Sequence, residues 1–212
     1  PNFSCTMVTS GPGATNLLTG IGCSYFDSIP SLHICGQVNT YEQQGSNKST
    51  LNVRQVGFQE TDIVSISKPI TKFSYKLKKA NEIKYILEKC YHLATTGRPG
   101  PVLLDIPMDL QRKKINIKNL SSFKPKLEKI KISKIKLNFL VKKIINSKKP
   151  VIILGGGIKY AKAEKNLNKF LRRLSIPIVT TWSGVDLIDH SNKNYIGNIG
   201  VYGSRAANFT IQ

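Results

Sequence analysis

Thr6-Met7-Val8-Thr9-Ser10-Gly11-Pro12-Gly13-Ala14-Thr15-Asn16-Leu17-Leu18 runs from apolar residues through a glycine-proline turn into a periodic segment. Ala14, Leu17, Leu18, Ile21 and Tyr25 then recur at helical spacing. The stretch reads as a strand over 6–9, a turn, and a helix. Ser31 to Cys35 reads as the next strand, closed by Gly36. Farther on, Asn81 is placed to cap a helix whose Ile83, Ile86, Leu87, Cys90, Tyr91 and Ala94 form one apolar stripe. Gly97-Arg98-Pro99-Gly100 ends it, and the unbroken apolar run Pro101 to Ile106 suits a strand buried on both faces of a parallel sheet.

The same pattern restarts downstream. Ser133 is placed to cap a helix bearing Leu137, Leu140, Val141, Ile144 and Ile145, and Val151 to Leu154 forms a strand that ends in Gly155-Gly156-Gly157. Leu167, Phe170, Leu171 and Leu174 mark a helix that leads to a strand over Ile176 to Thr180. Repeated strand, glycine turn, helix and strand predict an α/β fold of two Rossmann-like parallel-sheet domains, joined near 113–133. Between Asn39 and Gly57 the chain is polar and aperiodic, a long loop of the kind that carries function.

The chain's 212 residues suffice for two such domains, and no apolar run approaches the ~20 residues a bilayer demands. No membrane association is expected. A formal charge of +20 raises nucleic acid as a partner. The basic residues gather between Arg112 and Lys149, where Glu128 is the sole acid and few aromatics are interleaved for stacking, so a solvated linker explains them and no nucleic-acid partner is expected. Cys5, Cys23, Cys35 and Cys90 lack metal-ligand spacing and read as buried reduced thiols in a cytoplasmic protein. Pro1-Asn2-Phe3 carries no initiator Met, and the helix opening at Ser204 meets no stop signal before Gln212, so both ends read as cuts in a longer chain.

Alone, Ser10-Gly11-Pro12-Gly13 is either an anion-binding helix entrance or a turn required by packing. Its spacing matches neither dinucleotide nor Walker loops. The succession is more specific: Val8 to Leu17, Asp27-Ser28-Ile29-Pro30, Gly36-Gln37-Val38, Phe58-Gln59-Glu60, Thr96 to Val102, Asp105-Ile106-Pro107, Gly155-Gly156-Gly157 and Ala206-Ala207-Asn208-Phe209. In that order these motifs resemble acetolactate synthase and its thiamine-diphosphate-dependent relatives over nearly the whole chain.

The resemblance implies a thiamine-diphosphate pyrimidine-binding domain over 1–112, incomplete at its start, a basic linker over 113–133, and an incomplete central domain over 134–212. It places Thr9, Gly11, Pro12, Asn16 and Gln59 against the cofactor's aminopyrimidine, with Gln59 and Phe58 as the catalytic pair facing the reacting carbon. The diphosphate is then held through Mg2+ by a separate C-terminal domain, with no metal ligand in this segment. The activating glutamate is expected upstream of Pro1, so this segment alone is expected to be inactive. FAD, where bound, is expected at Gly155, Gly156, Gly157, Thr180 and Thr181. The implied reaction decarboxylates a 2-oxo acid, pyruvate above all, and joins the remaining carbons to an acceptor carbonyl. A homodimer or tetramer is implied, with the site between subunits. Met108, where acetolactate synthases carry lysine, the loop through Leu51-Asn52-Val53-Arg54-Gln55, and Trp182 and Tyr202 depart from the biosynthetic enzymes. They resemble instead relatives that act on a keto sugar in surface-polysaccharide synthesis. A non-catalytic nucleotide-binding α/β protein is the remaining alternative. His33, His92 and His190 match no family catalytic position and are expected to pack or to lie on the surface.

Overall fold

The computed structural model describes residues 3–46, 53–126 and 132–212. Pro1, Asn2, Leu51, Asn52 and Glu128 lie outside the described residues. The chain forms two compact units, Pro1–Lys126 and Leu127–Gln212. Each is a parallel-sheet α/β layer structure, as the alternating pattern predicts.

In the first unit, β1 (Ser4–Val8), β2 (Ser31–Gln37), β3 (Phe73–Lys76) and β4 (Pro101–Pro107) pair in the order β1-β2-β4-β3, all parallel. Helices α1 (Pro12–Asn16), α2 (Leu18–Phe26), α3 (Ile63–Ser67), α4 (Ile83–Thr95) and α5 (Met108–Gln111) complete it. β2 and β4 are interior strands with both faces covered, which is why their sequences are nearly continuously apolar. Alternation sends Cys35 and Leu103 into one cluster with Ala14, Ile21 and Ile63 of α1, α2 and α3. Leu32, Val102 and Leu104 face the other way, onto Ile86, Cys90 and Ala94 of α4. Val102, Leu103 and Leu104 are fully buried, each contributing about 1.5–3 kcal/mol of transfer free energy.

The second unit carries β5 (Ile152–Leu154), β6 (Ile178–Thr180) and β7 (Tyr195–Asn198) in sequential parallel order. Around them run α6 (Lys134–Ile145), α7 (Gly157–Tyr160), α8 (Glu164–Leu171) and α9 (Arg205–Thr210). Leu154, Leu167, Leu171, Ile178, Leu187 and Ile188 make its core. Ser133 does cap α6, its Oγ accepting from Ile135 N at 3.2 Å. Among the described residues no helix is long and apolar enough to cross a membrane.

Several local expectations are corrected. The helix predicted after Gly13 is two pieces, α1 and α2, separated at Leu17. Gly36 lies inside β2 rather than closing it, because the strand continues pairing with β4 as far as Gln37. Asn81 does not cap α4: a single 3-10 turn, Ala80–Glu82, precedes the helix, and the Glu82 carboxylate accepts from Lys78 N and Lys79 N. Only Cys35 and Cys90 are buried thiols, while Cys5 on edge strand β1 and Cys23 on the outer side of α2 are exposed.

His33 and His92 pack, and His190 lies on the surface. His92 stands by the Phe123 ring and His190 by Tyr195. His33 is buried in β2, with Nδ1 paired to Thr6 Oγ1 at 2.7 Å and Nε2 to Ser31 Oγ at 3.0 Å, so it ties β1 to the sheet. Burial holds its pKa below the ordinary imidazole value. The unfolded chain therefore takes up a proton that the folded chain resists, and His33's contribution is present above about pH 6.5 and lost as the pH falls below it. The melting-temperature gap between wild type and His33→Gln is expected to narrow from pH 7 to pH 5. A gap independent of pH would rule out this role.

Candidate active site

The carboxyl ends of β1, β2 and β4 open onto a cleft of about 510 Å³ whose lining includes Thr9, Ser10, Gln37 and Met108. Parallel α/β sheets hold ligands at this end because loops there can vary without disturbing strand pairing. Beside it lies the Gly11 turn. Gly11 has φ 60° and ψ −122°, the first central conformation of a type II′ turn, which side chains other than hydrogen avoid. A Cβ on Gly11 would lie 2.8 Å from Gln59 Cα and 2.8 Å from Phe58 O. The turn and the Phe58–Gln59 segment are thus in backbone contact, 47 positions apart in sequence at Gly11 and Phe58.

Local chemistry fixes the turn. Pro12 occupies the first position of α1, where its missing N–H is no loss, and Thr15 N donates to Gly11 O at 3.1 Å. Thr9 packs over the start of the helix, so that a Cβ on Gly13 would meet Thr9 Cγ2 at 2.7 Å. Pro12 and Asn16 are exposed on α1, and Gln59 and Phe58 are exposed beside Gly11. The structure therefore brings Thr9, Gly11, Pro12, Asn16, Phe58 and Gln59 to one end of one sheet. At the opposite, amino end of β2 and β4, Arg98 Nε donates to Ser28 Oγ at 2.7 Å, joining the Asp27–Pro30 and Gly97–Pro101 motifs away from the cleft.

Two buried polar residues at this end drew no role from the sequence. Gln37, the last residue of β2, donates from Nε2 to Thr61 O at 2.9 Å and to Asp105 Oδ2 at 3.1 Å. Asp105 is fully buried on β4, and burial is the main influence on its carboxyl, raising its pKa to about 6 against the opposing bond from Gln37. Cys35, its register partner, is pushed up to about 12 by burial and by Asp105, so its thiol is protonated and inert at neutral pH. The signal in the sequence was a lone acid inside the apolar run Val102 to Pro107. Among the described residues no group of three His, Cys, Asp or Glu converges as a metal site.

In the second unit, Gly155 lies next to Thr181, whose Oγ1 is 3.5 Å from the position of a Gly155 Cβ, and Gly157 has open space where its Cβ would stand. Thr180 is fully buried and its Oγ1 is paired with Tyr195 OH at 3.2 Å. Gly184 is tighter than Gly155 or Gly157, since its Cβ would meet Leu154 O at 2.6 Å.

Residues 2–66 match the model for the thiamine pyrophosphate enzyme N-terminal TPP binding domain, and 137–212 match that for the thiamine pyrophosphate enzyme central domain. The acetolactate synthase large subunit of Lactococcus lactis is 39% identical over 207 residues, covering 97% of this chain and 34% of that protein. That of Haemophilus influenzae is 35% identical over 96% of this chain and 35% of the relative. The isozyme 3 large subunit of Escherichia coli is 32% identical over 97% and 35%. The chain spans about a third of the length of these curated relatives.

The Gly11 contact predicts an asymmetry between glycines. Gly11→Ala adds a backbone clash to an unfavourable φ and is expected to cost about 2–4 kcal/mol. Gly97→Ala, at φ 62° with open space around it, is expected to cost about 1–2 kcal/mol. Urea or thermal melts giving equal losses for the two would show that Gly11 is not pressed against the 58–59 segment.

Proposed function

The chain belongs to the thiamine pyrophosphate enzymes, and on that premise we propose that its first unit forms the wall against which the aminopyrimidine of thiamine diphosphate rests. The observation that carries the reading is the backbone contact of Gly11 with Phe58 and Gln59. Any larger residue would push the 58–59 segment off the turn, so the placement of Gln59 beside Thr9, Pro12 and Asn16 depends on glycine at this position. Thr9, Gly11, Pro12 and Asn16 hold the ring, Gln59 offers an amide to substrate or cofactor, and Phe58 excludes water from the reacting atoms. The bound cofactor supplies an electron sink for decarboxylation of a 2-oxo acid, for which pyruvate is the proposed substrate, with transfer of the remaining carbons to an acceptor carbonyl.

The domain limits belong to this reading: a pyrimidine-binding domain over 1–112, a linker over 113–133 and a central domain over 134–212. The first part of the linker is anchored, since Phe123 packs edge-on to Tyr85 and its N donates to the Glu88 carboxylate at 2.6 Å. Mg2+, the activating carboxylate and the diphosphate contacts are assigned to residues other than those named here, with a second subunit completing the site. FAD is assigned to the turn at Gly155, Gly156 and Gly157 with Thr181, while Thr180 is fully buried and paired with Tyr195 OH. Met108, an apolar residue lining the cleft at the end of β4, favours a second reading of the acceptor as a keto sugar in surface-polysaccharide synthesis.

In the full-length protein, pyruvate is expected to release carbon dioxide only with thiamine diphosphate and Mg2+ present. Gln59→Ala is expected to lower turnover by about tenfold to a hundredfold, the scale of loss when a positioning contact at a reacting centre is removed. Absence of decarboxylation under those conditions sinks the proposal, and product analysis with pyruvate alone or with a keto sugar separates the two acceptors.

A further inference from the structure

The polar pair Gln37 and Asp105 stands out because its burial is expensive. Both side chains lie inside the first unit, Gln37 at 3% and Asp105 at 0% exposure, beside its apolar core. Asp105 Oδ1 is buried without a hydrogen-bond partner among the described residues. A buried acid left half satisfied weakens a fold relative to an apolar residue of similar volume. Its presence there calls for a reason other than stability.

The bonding pattern supplies one. Val38 N can only donate, so the Gln37 atom 3.0 Å from it is the acceptor Oε1, and the orientation of the amide follows. Both Nε2 hydrogens are then committed, one to Asp105 Oδ2 and one to Thr61 O. Asp105 fixes the amide plane from the strand side, and Gln37 grips the backbone of Thr61 from the loop side. Thr61 follows Gln59 by two residues and immediately precedes Asp62, which caps α3 by accepting from Ser65 N at 3.2 Å. The segment carrying Gln59 is thus gripped at Thr61 and supported from below by Gly11.

We propose that Gln37, its amide oriented by an acceptor at position 105, is a positioning residue, which acts through the Thr61 carbonyl to set the height at which Gln59 stands over the Gly11 turn. This rests on the reading of Gln59 as a residue facing the substrate. The specificity lies in donor count: only an amide gives two hydrogens from one nitrogen while accepting from Val38 with its other arm. Glutamate at 37 would set a carboxylate against Asp105 and the Thr61 carbonyl, and methionine would keep the volume while removing both donors.

The test uses Gln37→Met, Gln37→Glu and Asp105→Asn in the full-length protein. Amide hydrogen exchange is followed for 57–62 and, as an internal reference, for β4. Gln37→Met is expected to speed exchange in 57–62 at least tenfold while β4 changes less than twofold. It is also expected to lower kcat for pyruvate decarboxylation about tenfold, with KM and the cofactor activation constant within twofold of wild type. Asp105→Asn keeps an acceptor for Gln37 and is expected to stay within twofold of wild type in every readout. Should Gln37→Glu fail to fold, the methionine variant still decides the matter. Unchanged exchange in 57–62, or equal acceleration throughout the first unit, overturns the proposal. If wild type shows no decarboxylation, the reading of Gln59 falls, and the exchange measurement still judges the grip on Thr61.

Discussion

The first unit depends on one steric fact: at Gly11 there is room for hydrogen and nothing larger. The turn there must reverse β1 into α1 within a few residues while the backbone of Phe58 and Gln59 presses on it at 2.8 Å from where a Cβ would stand. Positive φ and close approach are separate demands, and glycine alone meets both. Everything proposed for the site inherits its geometry from this contact. It sets the path of α1, and hence the placement of Pro12 and Asn16. It also gives the distant 57–62 segment a fixed surface to rest on.

Contact alone does not hold a loop. The described part of the segment between β2 and α3 is mostly exposed and buries little apolar area, the first buried apolar side chain after it being Ile63 of α3. Its order comes from directional bonds instead. Thr40 donates through N and Oγ1 to Asp109 at 3.0 and 2.8 Å, Lys76 Nζ donates to Gln43 Oε1 at 3.0 Å, and Gln37 takes Thr61 O. These tethers run to β2, β3 and the start of α5, so the rigid sheet is the frame on which the loop is strung. Placing a fully buried carboxyl in that frame raises its pKa to about 6, which means that Asp105 is held against its preference for water. A site can bear that cost where the apolar cores on both sides of the sheet supply the stability.

What the sequence revealed follows from which interactions are periodic. β2, β4 and the stripe of α4 were legible because burial on one or two faces imprints a repeat on the residues themselves, and Ile86, Cys90 and Ala94 are indeed buried one turn apart. Ser133 was legible as a cap because capping is local. The failures have the opposite character. The break at Leu17, the 3-10 turn that displaces Asn81 from its cap, and the exposure of Cys5 and Cys23 depend on where neighbouring elements end in space. Gln37 and Asp105 were quoted in motifs without a role, since a bond spanning 68 positions leaves no trace in spacing. The Gly11 contact with Gln59 has the same long range, and only the order of family motifs hinted that the two belonged together.

The Gly11 turn also bears on the anion site that its glycines first suggested. An anion site at a helix entrance needs several free backbone N–H groups pointing outward. Here Pro12 has none, Thr15 N is spent on Gly11 O, and Ala14 is buried, which leaves Gly13 as the sole half-buried donor of the first turn. α1 is moreover five residues long, too short to align much of a dipole. A diphosphate would find little to bind, whereas a flat, mostly uncharged ring needs only close, smooth backbone and a few well-placed polar atoms. The proline that removes a donor and the glycine that removes a side chain act in the same direction, and both favour the ring end of the proposed cofactor over its charged end.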